Sequence, residues 1–150
     1  MKKHQLTEDE LEKVITEIDE ELLNKANWKK FSYNINWNND ISKKPGVYAA
    51  FEKDELIYIG QTADLKSRMS DIRRTYNHTL RKKIGKERLK ASLVKNKFSN
   101  EIEEKLTQYM VEHISFSFQP ISFGRLEVES QLVKKYAEQL LNSKSVRGLK

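Results

Sequence analysis

The sequence predicts a small α/β (α+β) domain: a central, mostly antiparallel sheet of about three strands, flanked by helices. Three observations carry this. The chain has 150 residues, a length typical of one domain and sufficient to bury a core. Two β-rich runs, Val47–Phe51 and Leu56–Ile59, are joined by the polar Glu52-Lys53-Asp54-Glu55, which is a hairpin signal. Stretches of helical periodicity lie on both sides of that hairpin, and a third β-like run follows later.

Residues 7–24 read as a helix. Thr7 is a good N-cap and Glu10 completes a capping box. Leu11, Val14, Ile15, Ile18, Leu22 and Leu23 form its apolar face. Residues 25–43 read as irregular, rich in Asn, with Trp28 and Trp37. These tryptophans are either packing anchors for the first helix or a stacking platform for bases. Pro45-Gly46 opens the hairpin unit, and Gly60 is expected to end its second strand. Thr62 or Asp64 can cap the helix DLKSRMSDIRR, in which Leu65, Met69 and Ile72 share a face. The basic stretch 73-RRTYNHTLRKKIGKERLK-90 follows. Its cations, among them Arg73, Arg74, Arg81, Lys82 and Lys83, either solvate a helix face or track phosphates. Residues 101–113 read as a helix, and 114-ISFSFQPIS-122 as a half-buried strand. The last helix is RLEVESQLVKKYAEQLL, with Leu126, Leu132, Val133 and Tyr136 as core candidates.

Charge narrows the partners. The net charge is +6 with an isoelectric point near 9.4, which favours anionic partners, nucleic acid above all. There is no cysteine, so disulfides, thiolate metal ligands and a cysteine nucleophile are excluded. No apolar stretch approaches the ~20 residues that span a bilayer, and the first residues lack the apolar core of a signal peptide. The expectation is a cytoplasmic protein with no membrane partner.

The chemistry-bearing residues recur in a pattern. Gly46-Val47-Tyr48 is followed by Tyr58-Ile59-Gly60 and then by Arg68 on the next helix. This resembles the GIY-YIG nuclease family. Glu129 in ESQLVKKY and Asn142 in QLLN stand where the family has a helical glutamate and, a dozen residues on, an asparagine. The resemblance covers roughly residues 44–142. Residues 1–43 are then an N-terminal helical extension and 44–150 the nuclease-type domain, together one compact unit. The match has departures. Val47 replaces the usual isoleucine, and no proline precedes Asn142. Gln61 stands where many members have a lysine, and Ile72 where some have a histidine; His78 is similar to a second histidine of some members.

The resemblance implies a metal-dependent DNA endonuclease. One of the two tyrosines would activate the water: Tyr48 as the base with Tyr58 as a positioning or relay partner is the favoured assignment, and the sequence does not decide between the two. A free phenol, with pKa near ~10, is a poor base at neutral pH, and a neighbouring cation helps by favouring the phenolate. Arg68, planar and always charged, would hold the scissile phosphate. Glu129 would hold Mg²⁺ or Mn²⁺, and His78 would orient water or phosphate. Gly46, Gly60 and Asn142 would shape the site. A homodimer is compatible with cutting a duplex through one site per chain. The layout is closest to a compact restriction-like or mobile-element nuclease. Two other readings stay open: a catalytically inactive GIY-YIG module that only binds DNA, and a protein-interaction domain using the acidic first helix.

Overall fold

The computed structural model describes residues 7–75 and 78–142. Its first helix, α1, spans Glu8–Leu23, and the capping box forms: Glu10 N–H donates to Thr7 Oγ1 while Thr7 N–H donates to Glu10 Oε1. Three acidic residues in the first turn complement the positive end of the helix dipole. A 3₁₀ turn at Lys25–Asn27 leads into strand β1, Lys29–Lys30. The stretch 25–43 is therefore more regular than its composition suggests.

The hairpin is β2 (Gly46–Glu52) and β3 (Glu55–Thr62). Gly60 does not end the second strand, which runs on to Thr62. A register shift between Ala50 and Phe51 marks a bulge, so that both Ile57 and Tyr58 lie in the same half of the core. Asp64 caps helix α2 (Leu65–Asp71) by accepting from Ser67 N–H. The backbone N–H groups of Leu65 and Lys66 are taken by the carbonyls of Lys44 and Ser42. The irregular segment before the hairpin thereby satisfies the start of α2.

Helix α3 spans Thr79–Arg88, α4 Asn100–His113, and strand β4 Ile114–Pro120. Helix α5 runs from Arg125 to Lys135, shorter than the sequence periodicity suggests. The sheet has four antiparallel strands in the order β1-β4-β2-β3, one more than expected. β4 lies inside it and is buried unevenly: Ile114, Phe116 and Ser117 are fully enclosed, whereas Ser115, Phe118 and Gln119 are half-buried.

Two apolar clusters sandwich the sheet. On one face Tyr48, Ala50, Ile57, Tyr58 and Phe116 meet α2, α3 and α4 through Leu65, Met69, Ile84, Leu106 and others. On the opposite face Val47, Ala49, Phe51 and Ile59 meet α1 and α5 through Leu22, Val128, Leu132 and Val133. Val128 fills the place expected for Leu126, which is 59% exposed. Tyr136 packs at the edge of this second cluster, and its hydroxyl donates to the Asp19 carboxylate, which also pairs with Lys135. That contact ties α1 to α5, and β1 adds a strand to the same sheet. The N-terminal extension is therefore integral to the core.

Both tryptophans serve packing. The Trp28 ring stacks on Phe51 with centroids 3.8 Å apart and donates from Nε1 to the Leu22 carbonyl, anchoring α1. Trp37 is buried on the other side of the sheet, edge-on to Phe31 and tilted against Phe116. Among the described residues no helix is long and apolar enough to cross a membrane.

Candidate active site

Tyr48 and Tyr58 come from neighbouring strands, with Tyr48 opposite Gly60 and Ala50 opposite Tyr58. Both rings project to the face that α2 covers, with centroids 6.2 Å apart and planes inclined by 30°. The space that Tyr48 occupies exists because residue 60 is a glycine: a Cβ there would lie 2.4 Å from Tyr48 Cζ. Gly46 is equally constrained, since its Cβ would lie 2.3 Å from the Gln119 carbonyl oxygen of β4. Each glycine permits a close approach of neighbouring strand or ring.

Arg68 reaches this face from α2. Its Nε lies 3.5 Å from the Tyr48 hydroxyl, at the outer limit of a hydrogen bond, and Nη1 lies 4.0 Å from Asp71 Oδ2. The Tyr48 phenol is 1% exposed. Burial pushes its pKa above the ordinary tyrosine value, because a phenolate there loses hydration. The Arg68 charge and hydrogen bond oppose that rise, the Glu129 carboxylate adds to it, and a hydrogen bond shared with Tyr58 opposes it. Glu129 of α5 is thus within electrostatic reach of Tyr48 although far from it in the chain. It is half-buried.

His78 is not a surface histidine. Its ring is fully buried, 6.3 Å from the Tyr48 ring, and neither nitrogen has a hydrogen-bond partner among the described residues. Burial holds its pKa well below the usual imidazole value, and the charges of Arg68 and Arg81 act in the same direction. A neutral imidazole with two unpaired nitrogens is costly unless something occupies the space beside it.

Asn142 holds β3 without facing the tyrosines. Its Oδ1 accepts from Ile59 N–H (3.1 Å) and its Nδ2 donates to the Ile59 carbonyl (2.7 Å). Leu141 N–H donates to the Ile57 carbonyl, and Gln139 Nε2 to the Leu56 carbonyl. β3 is an edge strand, and residues 139–142 supply the partners that a further strand would have supplied. The peptide groups flanking Tyr58 are fixed in this way.

The basic stretch divides. Arg81 faces inward, 1% exposed, and this corrects its assignment as a phosphate contact. Its guanidinium donates to Thr75, Glu103, Thr107 and the Ile72 carbonyl. All of its charge is spent inside the fold, joining α3 to α4. Arg88 is bound to Glu52 at 2.9 Å. Arg74 is exposed, whereas Arg73, Lys82 and Lys83 are half-exposed.

One residue escaped the sequence reading. Arg125 begins α5, one turn before Glu129, and its Nε donates to Gln61 Oε1 at 2.9 Å. A guanidinium therefore stands beside the position where the resemblance expects a lysine. The signal was the four-residue spacing of Arg125 and Glu129, which places both on one side of a helix.

Among the described residues no group of three or more His, Asp or Glu side chains forms a closed metal cage. A single carboxylate such as Glu129 still suits Mg²⁺ or Mn²⁺, which keep much of their water and share substrate phosphate oxygens. No family model, curated protein or solved structure matches the chain.

Proposed function

We propose that the protein is a metal-dependent DNA endonuclease that hydrolyses phosphodiester bonds. The observation that carries this is the convergence of Tyr48, Tyr58 and Arg68 on one face of the sheet, with the Glu129 carboxylate felt at Tyr48. They come from β2, β3, α2 and α5, elements spread over most of the chain.

Arg68 binds the scissile phosphate and offsets the charge that builds on it in the transition state. Arg125, steadied by Gln61, provides the second cation. A water oxygen attacks phosphorus and the bond to the 3′ oxygen breaks. The water proton passes to the Tyr48 oxygen while Tyr48 gives its own proton to Tyr58 and Tyr58 releases its proton to solvent, from which the departing 3′ oxygen takes one. With its pKa raised, Tyr48 is protonated when the substrate arrives, so it exchanges a proton rather than waiting as a phenolate. His78 places an unpaired nitrogen beside the same ring, suited to orienting the water. Glu129 would hold Mg²⁺ or Mn²⁺, whose charge supports the phosphate oxygens and the departing 3′ oxygen.

The second reading, a DNA-binding module without activity, draws on one observation: Tyr48 is almost wholly enclosed. Nicking of supercoiled plasmid with Mg²⁺ and with Mn²⁺ separates the two. Wild type should cut, and Glu129→Ala and Arg68→Ala should each lose at least about 100-fold. Equal cutting by all three sinks the site assignment. Salt-sensitive binding without cutting on any DNA favours the inactive module.

A further inference from the structure

A concavity opens off the basic stretch that follows α2. It is an open cleft of about 510 Å³ between α4 and the turn after α2, with Phe98 at its base. We propose that this cleft receives one unstacked nucleotide of a bound DNA strand, its base against Tyr33 and its phosphate on Arg74 and Lys97. The proposal rests on the nucleic-acid half of the reading above and not on cutting.

Among the described residues that line the cleft, Tyr33 is the exposed aromatic side chain. It is 51% exposed, whereas Trp37 is 4% exposed and Trp28 is half-buried against Phe51. The Arg73 guanidinium lies 5.9 Å from the Tyr33 ring centre, so the ring is held over the cleft by a cation rather than by apolar packing. Base stacking on such a ring tolerates any sequence because every base has a π-face.

The charge of the cleft is also directional. Arg81 and Glu103 neutralise each other in its wall. That leaves Arg73, Arg74 and Lys97 against Glu104. Phosphate is therefore favoured along the side of the 73–74 turn and Lys97 and disfavoured over α4, where Glu104 lies. On α4 the exposed amides of Asn100 and Gln108 offer both donors and acceptors to a base edge. The volume suits one nucleotide and excludes a duplex.

Position links the cleft to the first site. Arg68 lies on α2, and Arg73 follows two residues after its last residue, Asp71. The two arginines are five residues apart in the chain, across the end of α2, so a strand whose phosphate sits on Arg68 can lay a neighbouring nucleotide in the cleft.

The test uses the full chain carrying Glu129→Gln, so that binding is read without cleavage. The probe is an oligo-dT strand with a single 2-aminopurine. Binding should quench the 2-aminopurine fluorescence, and Tyr33→Ala should abolish the quench and weaken binding about tenfold. Tyr33→Phe should keep both. Arg74→Ala with Lys97→Ala should weaken binding and flatten its salt dependence while the quench at saturation persists. A bound strand that shows no quench, or an unchanged quench in Tyr33→Ala, overturns the proposal, as does absence of any binding. Absence of plasmid nicking by wild type beside an intact Tyr33-dependent quench would overturn the nuclease reading alone.

Discussion

The Tyr48 ring occupies the volume that a side chain on Gly60 would need: a Cβ added at Gly60 would lie 2.5 Å from the Tyr48 hydroxyl oxygen and 2.7 Å from its Cε1. The two residues are direct cross-strand partners. Gly60→Ala should therefore push the phenol out of place. Overpacking of this kind costs about 1–3 kcal/mol, which a thermal or urea melt will read. Nicking should fall far more than stability does, because the displaced atom is the one assigned the proton. A variant that melts lower but cuts at the wild-type rate would remove Tyr48 from the mechanism.

Arg68 and Arg125 should separate in kinetics. Arg68→Lys keeps the charge but loses the planar fork, so it should recover little of the kcat lost in Arg68→Ala. Arg125→Gln should chiefly raise KM for DNA and lessen its salt dependence, since Arg125 stands beside the phosphate path and is positioned through Gln61. A kcat loss in Arg125→Gln as large as that of Arg68→Ala would place it at the reacting phosphate.

His78 gives a prediction about pH. Its folded pKa lies below the unfolded value of about 6.5, so the unfolded chain binds more protons in that window. The neutral ring then contributes stability that is fully present above about pH 6.5 and is lost as the pH falls towards the folded pKa. Urea midpoints between pH 7 and pH 5 should drop in wild type and drop less in His78→Leu. At pH 7 His78→Leu should be more stable, since it removes two buried, unpaired nitrogens, and less active.

Removing Asn142 should loosen the edge of the sheet. Asn142→Ala leaves the Ile59 N–H and carbonyl without their partners, at a cost of about 2–3 kcal/mol. Amide exchange should quicken first in β3. Asn142→Asp retains the acceptor for Ile59 N–H but sets an oxygen against the Ile59 carbonyl, so it should rescue little.

Arg81 and Arg74 should differ although both belong to one basic run. Arg81→Ala removes a buried guanidinium with its bonds to Thr75, Glu103, Thr107 and the Ile72 carbonyl, and should cost about 3–5 kcal/mol. Arg74→Ala should leave the melting temperature unchanged and reduce DNA affinity in a salt-dependent way.

Local signals carried most of the fold. The capping box at Thr7 and Glu10, the hairpin flanking Lys53-Asp54 and the Leu65–Met69–Ile72 face were legible because periodicity and caps act over a few residues. β1 was not: two lysines carry no strand pattern, and their pairing is dictated by β4, far along the chain. Arg81 read as surface because nothing near it in sequence announces Glu103, its partner on another helix. Leu126 read as core because the helix has apolar residues on more than one side, and contact with the sheet selects the side bearing Val128. Within the candidate site, Tyr48, Tyr58 and Arg68 were legible from motif spacing. The enclosure of His78 and the role of Arg125 depended on which helix faces meet.

The strand order also carries a timetable. β4 joins β1 to β2, yet it is synthesised after both. A growing chain can close the β2–β3 hairpin early, but β1 has nothing to pair with until residues 114–120 have emerged. Helix α5 and the Asn142 clamp come later still. The first thirty or so residues therefore wait for most of the chain before β1 can pair.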